Sequence, residues 1–206
     1  MTTLDILERN FPGRRAALKR DILLGALACF NQNGLGLTTI EMIKVRCDTS
    51  VGSIYHHFGS REGLISALFF SSLEDQDRLL TAYLDNAETA EEGVAAIVYS
   101  YVDWVSDEPD LARFQYEARS LVAKGPSRET LTEKNRSRRK MMEAWWLSHG
   151  GYKPTSTIPE ELLPSIIIGP AESYCRAWLS NRTIASPSTY RDLLAKAAAL
   201  GLGIPP

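Results

Sequence analysis

The fold of this chain is decided by the stretch Ser50-Val51-Gly52-Ser53-Ile54-Tyr55-His56-His57-Phe58-Gly59-Ser60-Arg61-Glu62-Gly63-Leu64. Ser50 can cap the backbone N–H groups of the turn that follows it. Ile54 and Phe58 are four residues apart, a spacing that places two apolar side chains on one face of a helix. The stretch therefore predicts a short capped helix from Val51 to about Phe58, with one face against a core and a polar face free for a ligand.

The polar face of this helix carries side chains that are able to hydrogen-bond to a nucleic acid. Ser53, Tyr55 and His56 supply hydroxyls and an imidazole, which hydrogen-bond to phosphates or to base edges. Gly52 leaves the N-terminal end open to close approach of a phosphate. For these residues DNA contact is favoured over a solvated helix face. For His57, DNA contact and packing against the N-terminal helices, residues 1–59, which we call the head, are equally compatible with the pattern.

Two helices precede this one. Apolar residues recur at helical spacing at Leu18, Ile22, Ala26, Cys29 and Phe30. With Gly34 as a stop, they predict a helix over residues 14–33. Thr38 and Glu41 form a capping-box pattern that predicts a second helix ending near Arg46. About four residues separate it from the helix that begins at Val51, which is the spacing of a helix-turn-helix.

The rest of the chain continues the helical pattern. Ser60 can cap a long fourth helix, from residue 60 to about 84, and apolar residues at helical spacing predict five more helices after it. The last of them begins at the pair Ser186-Pro187. We therefore predict an all-α fold of about nine helices, with a DNA-binding domain at residues 1–59 and a larger domain at 60–206 whose first helix is the connector.

Composition excludes several classes of protein. The chain has 206 residues, of which 44% are hydrophobic and 23% charged, as in an ordinary globular protein. Its apolar runs are far shorter than the roughly 18 residues that a membrane span requires. The N-terminus lacks a basic segment followed by an apolar one, so no secretory signal is predicted and a cytoplasmic location is expected.

Charge and cysteine usage are compatible with a DNA-binding head. Residues 1–66 carry eight Lys or Arg against six Asp or Glu, whereas the remainder carries fifteen against nineteen. This mild asymmetry permits DNA binding by the first third of the chain. The three cysteines, Cys29, Cys47 and Cys175, are widely spaced and favour free buried thiols over a redox or metal site. No metal or cofactor is expected.

Residues 22–68 resemble the TetR family of bacterial transcriptional regulators. The resemblance rests on the apolar positions and Gly34 of the first helix, on Thr38-Thr39-Ile40, on residues 50–58 and on Arg61-Glu62-Gly63-Leu64. The family's turn is commonly Ala-x-x-Ala-Gly-Val-Ser, whereas this chain has Lys44-Val45-Arg46-Cys47-Asp48-Thr49-Ser50. Asp48 is tolerable because Asp adopts the left-handed region more readily than most residues. The Lys44 stem can extend past the helix contact and place its ammonium group at a phosphate.

The resemblance implies a homodimeric regulator, most simply a repressor, that binds a palindromic DNA operator and is released by a small-molecule effector. Four of the expected DNA contacts are phosphate clamps that fix register without reading sequence, with helix capping and solvation as the alternative roles: Thr38, Thr39, Lys44 and Arg61. The remaining expected contacts lie on the third helix or at its cap: Ser50, Val51, Gly52, Ser53, Tyr55 and His56.

An effector cavity is expected among the middle helices, because pockets between packed helices are mostly apolar and adaptable. Its candidate residues are Tyr101, Trp104, Phe114, Tyr116, Arg138, Met142 and Trp145. Most of these aromatic residues are expected to pack in the hydrophobic core. Arg138 lies in the basic run 134–140, which is otherwise expected to be solvated, and a structural ion pair with Glu117 or Glu172 is favoured over a ligand carboxylate.

The stretch from Gly169 to Leu179 resembles the dimerising eighth helix of part of the family. With the last helix it implies a four-helix bundle across a two-fold axis. The expected interface residues are Pro170, Ser173, Tyr174, Ala177, Tyr190, Leu194, Ala197 and Ala198.

Enzymatic interpretations are not supported, because the sequence contains no HExxH, GxSxG, GxGxxG or phosphate-binding loop motif. The alternative from another class is an all-helical dimeric carrier or scaffold whose helix-turn-helix no longer binds DNA. Lys44, Asp48 and Thr49 would then be signs of a degenerate head. The salt dependence of DNA binding separates the two interpretations.

Overall fold

The computed structural model describes residues 2–149 and 158–204, and these residues form α-helices joined by short turns. The described residues contain ten α-helices and no β-strand, which confirms the predicted all-α class. The helices are α1 (Thr3–Asn10), α2 (Ala17–Asn33), α3 (Ile40–Arg46), α4 (Val51–Phe58), α5 (Arg61–Leu84), α6 (Ala90–Asp107), α7 (Pro109–Lys124), α8 (Arg128–Ser148), α9 (Leu163–Leu179) and α10 (Arg191–Gly201). Within the described ranges, no helix is both long enough and apolar enough to cross a bilayer.

Side-chain caps start the helices of the head. The Ser50 hydroxyl accepts from the backbone N–H of Ser53 at 3.0 Å, and the Ser60 hydroxyl accepts from Gly63 at 2.9 Å. The predicted cap of α3 is wrong by one residue, because Thr39 accepts from the N–H of Met42 at 3.2 Å. Thr39 has the extended backbone that a cap requires.

Left-handed residues end these helices and turn the chain. Gly34 and Gly59 follow α2 and α4 with φ of 78° and 73°, values that glycine adopts without steric cost. Asp48 occupies the turn between α3 and α4 with φ of 46°. Asp48 therefore adopts the left-handed backbone conformation that the sequence analysis considered tolerable for Asp at this turn.

Helix α1 precedes the predicted first helix and was absent from the sequence prediction. Thr2 and Asp5 form a capping box at its start, and the hydrogen bond from the Thr2 backbone lowers the pKa of the Asp5 carboxyl. Ile6 and Leu7 are fully buried. The pattern Thr2-x-x-Asp5 was the local signal that could have identified this helix.

Two compact units make up the chain. The first comprises residues up to Asp75 together with Glu108–Lys134, and the second comprises Gln76–Asp107 together with the residues from Asn135 onward. In the first unit α2 packs against α1, α3 and α7, and the rings of Phe30 and Phe114 stack with centroids 5.5 Å apart. Helices α5 and α8 carry residues of both units.

The second unit is centred on the packing of α6, α9 and α10 against one another. Trp104 on α6 is among its fully buried side chains. The predicted start of the last helix at Ser186-Pro187 is wrong, because Pro187–Tyr190 form a 3₁₀ turn and α10 begins at Arg191. The Ser186 hydroxyl bonds to the hydroxyls of Ser106 and Ser188 instead of capping the helix.

Candidate nucleic-acid interface and effector region

The third helix of the head, α4, separates an anchoring face from an exposed polar face. Ile54 is fully buried and fixes the helix to the head, whereas 45% of the Tyr55 surface is exposed. Gly52 and His56 are also exposed, and Ser53 is half-buried. The hydroxyl of Tyr55 and the imidazole of His56 can therefore reach a partner without unfolding of the head.

The N-terminus of α4 can receive a phosphate. The Ser50 hydroxyl satisfies the N–H of Ser53, and Ser50 itself is exposed. Val51 and Gly52 supply N–H groups of the first turn, which have no acceptor within a helix and carry the positive end of its dipole. The end of α4 thus has the donors and the field that bind an anion.

Two predicted phosphate clamps, Thr38 and Arg61, donate hydrogen bonds to backbone carbonyl oxygens within the first unit. Thr38 is 2% exposed, and its hydroxyl donates to the carbonyl oxygens of Cys29 and Gly34 at 3.0 and 2.9 Å. The Arg61 guanidinium donates to the carbonyl oxygens of Thr38, at 3.2 Å, and of Leu35. The Thr38 hydroxyl is therefore buried away from any phosphate, and the prediction for Thr38 is wrong. Arg61 is half-buried and ties the α2–α3 loop to the start of α5, and its contact with a phosphate stays a prediction.

The other two predicted clamps, Thr39 and Lys44, remain accessible on α3. Thr39 is exposed, and its oxygen caps the helix. The Lys44 ammonium lies 2.8 Å from a carboxylate oxygen of Glu41, and the two side chains are 37% and 65% exposed. Such a surface pair stabilises little, so Lys44 can exchange Glu41 for a phosphate.

The contact of Cys47 with Gly25 was missed by the sequence analysis. Cys47 lies at the end of α3, where its thiol donates to the carbonyl oxygen of Asp21 at 3.6 Å. A Cβ atom at Gly25 on α2 would overlap the Cys47 Sγ atom. Burial raises the pKa of the Cys47 thiol, which keeps it protonated as a packing group. The absent side chain of Gly25 therefore lets the turn before α4 approach α2.

Lys19 and Arg20 of α2 contact the last residue of α4 and the turn that precedes α2. The Lys19 ammonium lies 4.2 Å from the ring centroid of Phe11 and 5.5 Å from that of Phe58, the last residue of α4. Arg20 donates to the carbonyl oxygens of Phe11 and Gly13 at 2.7 and 2.9 Å. Cation–π attraction and these hydrogen bonds thus fix the exit of α4 and the turn before α2. The sequence analysis had assigned no role to Lys19 or Arg20.

His57 is compatible with both of its expected roles, DNA contact and packing. The residue is half-buried, and its ring centroid lies 5.4 Å from that of His56 and 6.1 Å from that of Phe58. It therefore packs along the ring of Phe58 and retains an accessible edge.

The candidate effector residues are divided between the two units. Phe114 and Tyr116 belong to the first, where Phe114 is 1% exposed and stacks on Phe30. The others belong to the second unit: Tyr101, Trp104, Arg138, Met142 and Trp145. Trp104 is fully buried, whereas the remaining four are half-buried and can be contacted from solvent.

Arg138 forms an ion pair with Asp77 on α5, through a bond from its Nε atom to the Oδ1 atom. The structural ion pair preferred from the sequence is present, but the expected partners Glu117 and Glu172 were wrong. Glu117 accepts from the N–H of Leu35 at 3.4 Å, and Glu172 pairs with Arg176 on its own helix. Both side chains of the Arg138–Asp77 pair are about one-third exposed, so competing ions can reach it.

Trp145 contacts the end of α5 and the beginning of α6. Its indole N–H donates to the carbonyl oxygen of Leu84 at 3.0 Å, and its ring lies where a side chain at Gly93 would otherwise project. The ring of His149 stacks on that of Trp145, with centroids 4.3 Å apart and an interplanar angle of 13°. Trp145 therefore connects three helical segments.

The candidate dimer interface on α9 and α10 is mostly accessible. Six of its eight predicted residues are exposed or half-buried without a hydrogen bond that fixes them inward: Pro170, Ser173, Ala177, Tyr190, Leu194 and Ala197. Tyr174 is half-buried and donates to the carbonyl oxygen of Ala185 at 3.1 Å. Ala198 is fully buried within the chain, so its assignment to the interface is wrong.

Exposed apolar residues of the same region were missed. Leu193 and Leu200 on α10 are 64% and 62% exposed, and Ile184 in the loop before it is fully exposed. Ala195 and Ala199 on the same helix are buried within the chain. Helix α10 therefore has one apolar face packed inside the chain and a second apolar face exposed to solvent. Leucine side chains exposed on a helix whose opposite side is already packed are typical of a surface that contacts a partner.

Comparison with known proteins agrees with the geometry of the head. Residues 22–68 match the family model of bacterial regulatory proteins of the tetR family. Over 67 residues the chain is 37% identical to the transcriptional regulator UidR of Escherichia coli K12, an alignment that covers 32% of this chain and 33% of UidR. The chain thus spans about a third of the length of this curated relative.

Solved structures show a similar fold over nearly the whole chain. A TetR family transcription regulator from Marinobacter aquaeolei VT8 has a TM-score of 0.75 at 14% identity, over 91% of this chain and 96% of that one. The regulator FadR of Bacillus subtilis, solved in complex with stearoyl-CoA, has a TM-score of 0.69 at 16% identity, over 89% and 98%. At these identities the likeness establishes the fold alone.

Proposed function

We propose that this chain, whose residues 22–68 match the family model of bacterial regulatory proteins of the tetR family, is a ligand-responsive transcriptional repressor that binds DNA as a homodimer. The observation that carries the proposal is the geometry of α4: Ile54 anchors one face, while Tyr55 and His56 are exposed on the other. A regulator of this kind acts in the cytoplasm, where its DNA is found.

In this proposal each head places α4 in a major groove. Tyr55, His56 and Ser53 contact base edges or phosphates, and the N–H groups of Val51 and Gly52 bind a phosphate. Thr39, Lys44 and Ser50 add contacts to the DNA backbone. Two heads then bind the half-sites of a near-palindrome about one helical turn apart.

Dimerisation is supported by the exposed apolar side chains of α9 and α10. Leu193 and Leu200 would lose their contact with water between two copies of the chain. Pro170, Ala177 and Ala197 are small enough to let helices approach closely, as a four-helix bundle across a two-fold axis requires.

We propose that the effector binds among α6 and α8 of the second unit, where Tyr101, Arg138, Met142 and Trp145 are accessible. The complex of FadR with stearoyl-CoA makes a long-chain acyl thioester the first candidate to examine. An effector can change operator affinity only through its own difference in affinity between the two states, typically about 1–3 kcal/mol.

The proposal is tested by selecting binding sites for the purified protein from random duplex DNA and measuring the enriched site across a salt series. We expect an inverted repeat whose log affinity falls against log salt with a slope near -0.9 per phosphate neutralised. A folded dimer that enriches no site, after removal of any copurified ligand, would contradict DNA binding and favour the carrier interpretation.

Effector response is measured by titrating stearoyl-CoA into the protein–operator complex. Weakening of operator affinity by about 5- to 150-fold at saturation would support release by this ligand class. Palmitate and coenzyme A serve as controls for the separate effects of the acyl chain and the phosphates. Stearoyl-CoA that bound tightly without changing operator affinity would be excluded as the inducer.

A further inference from the structure

Residues 9–20 form a basic segment within the first unit. They carry five Lys or Arg and no Asp or Glu, in a chain whose formal net charge is -2. The basic segment comprises the end of α1, the turn before α2 and the first residues of α2. It precedes residues 22–68, so the match to the family model does not account for its charge. Cations so close along the chain repel one another unless neighbouring groups or a bound anion compensate them.

Three of these cations have partners within the first unit. Arg9 forms an ion pair with Asp75 of α5, whose side chain is 1% exposed. The Lys19 ammonium lies 5.5 Å from the ring centroid of Phe58, the last residue of α4. Arg20 donates to two backbone carbonyl oxygens between α1 and α2. These contacts hold the basic segment against α4 and α5.

The other two cations, Arg14 and Arg15, are exposed. Among the residues that the structure describes, neither guanidinium has a hydrogen-bond or ion-pair partner. Both lie at the start of the helical segment that continues into α2, whose first turn contains no acidic side chain. A cation is unfavourable at this end of a helix, because the backbone N–H groups already carry partial positive charge. A bound anion would therefore stabilise the basic segment.

Arg14 also lines an open surface cleft in which an anion can bind. The cleft has a volume of about 370 Å³ and is lined by Glu8, Gly13, Arg14, Ala17 and Arg20. The Arg20 side chain is 12% exposed, whereas that of Glu8 is 55% exposed and lies 4.0 Å from the Arg20 guanidinium. At that distance and exposure the pair stabilises little, so an anion can displace Glu8. The anion then meets two guanidinium groups.

The basic segment lies at the exit of α4. Arg15 precedes Lys19, the residue that contacts Phe58, by four positions, which is about one helical turn. Helix α4 has 8 residues and is therefore about 12 Å long, close to the width of the major groove, which is also about 12 Å. A helix of that length in the groove brings its end to one of the phosphate strands that border the groove. In the proposed complex the basic segment therefore lies beside phosphates outside the bases that α4 contacts.

We propose that the basic segment is a second phosphate-binding surface of the head, through which Arg14 and Arg15 contact the DNA backbone immediately outside each half-site. The cleft at Arg14 and Arg20 receives one of these phosphates. The inference rests on the proposed function and adds a contact outside the helix-turn-helix. Duplex DNA is favoured over other polyanions because Lys19 joins the segment to α4, the helix that is proposed to bind DNA.

The first test uses the length of flanking DNA as its readout. The enriched operator is measured across a salt series as a duplex that ends at its half-sites and as one extended by about six base pairs on each side. The extended duplex should bind wild-type protein more tightly and with a steeper salt slope. For Arg14→Gln/Arg15→Gln the slope on this duplex should be shallower by about 3.6, or about 0.9 for each of four phosphates per dimer. The variant should bind the trimmed duplex like the wild type.

Two results of this test would overturn the inference and leave the proposed function standing. One is a wild type that binds both duplexes with the same affinity and salt slope. The other is a variant that loses the same factor in affinity on both duplexes. Thermal unfolding of the variant should match that of the wild type, because both arginines are exposed.

Matched variants separate position from total charge. Arg119→Gln/Lys124→Gln removes two exposed cations of α7 in the same unit and should leave both affinities unchanged. An equal loss of salt slope in this α7 variant would overturn the inference, since total charge would then be the cause. Arg14→Lys/Arg15→Lys keeps both charges and should retain most of the slope. Glu8→Gln removes the competing carboxylate and should strengthen binding to the extended duplex alone, about two- to fivefold.

Binding to other polyanions separates this inference from the proposed function. A wild type that enriches no operator but binds a random duplex at low salt, more tightly than Arg14→Gln/Arg15→Gln does, would support the phosphate-binding surface and contradict the proposed function. Vesicles of phosphatidylglycerol provide the second probe. If the wild type binds them through the two arginines and shows no effect of flanking DNA, the surface binds a membrane and the inference is overturned.

Discussion

Two exposed surfaces of this molecule differ in chemistry. The exposed face of α4 presents the Tyr55 hydroxyl and the His56 imidazole, whereas the exposed face of α10 presents Leu193 and Leu200. Polar groups remain well solvated when the protein is alone, but exposed apolar surface costs about 25 cal/mol for each Å². The first surface therefore suits a charged partner whose binding depends on salt, and the second suits a partner that removes apolar area from water.

The largest expected effect comes from a charge introduced into the exposed apolar face of α10. Leu193→Asp would place a charge inside the proposed dimer interface, which should raise the dimer dissociation constant at least about 100-fold, or about 3 kcal/mol. Sedimentation equilibrium measures this change. Lys124→Asp at the exposed end of α7 is the control and should leave the dimer intact, since Lys124 lies outside the proposed interface. A Leu193→Asp protein that dimerises like the wild type would remove α10 from the interface.

The next effect tests whether Arg61 acts through hydrogen bonds within the chain or through a phosphate of the proposed operator. Arg61→Gln should lower the free energy of unfolding by about 2 kcal/mol, because two backbone carbonyl oxygens lose a charged donor. Urea denaturation measures it, and the salt slope of DNA binding should not change. If stability were unchanged and the slope fell by about 0.9, Arg61 would be a phosphate contact after all.

Tyr55→Ala tests the polar surface directly. The variant should weaken operator binding about tenfold, or about 1.4 kcal/mol, because a contact made only in the complex is lost. Thermal unfolding and dimerisation should match the wild type, since nearly half of the side chain is exposed. Gln32→Ala, at an exposed position of α2, provides a control for loss of a surface side chain. Equal affinity of wild type and Tyr55→Ala would exclude the ring from the interface.

The smallest expected effect concerns the support of α4. Gly25→Ala should destabilise the head by about 1 kcal/mol, because the added methyl group overlaps the Cys47 Sγ atom. Adding Cys47→Ala should recover most of that loss, since the second substitution removes the overlapping atom. A double-mutant cycle by urea denaturation gives the coupling energy. Strictly additive effects would show that the two positions do not contact each other in solution.

Local signals explain why the head could be predicted from the sequence. Ser50 and Ser60 accept hydrogen bonds from N–H groups only three residues away. Gly34 ends α2 through its own left-handed backbone conformation and needs no distant partner. The error at Thr38 was of a different kind. Thr38 and Thr39 have identical side chains, and the hydroxyl of Thr38 became a buried donor because the carbonyl oxygen of Cys29 lies beside it.

The residues that could not be predicted depend on partners far along the chain. Arg61 bonds to carbonyl oxygens 23 and 26 residues earlier, and Arg138 pairs with a carboxylate 61 residues earlier. Identifying Asp77 as that partner requires knowing that α5 and α8 run in the same direction. Ala198 was misplaced for a related reason, because both sides of α10 are apolar and periodicity alone does not distinguish them.

Helix α5 contains 24 residues, which makes it a rod about 36 Å long. A rod of that length converts small rotations into large displacements, since a pivot of roughly 5° at one end moves the other by about 3 Å. That displacement is close to the rise of one base pair, which is about 3.4 Å along the DNA axis. The length of α5 thus supplies mechanical leverage: a small angular change at one end of the helix displaces the other end by about the distance between two base pairs.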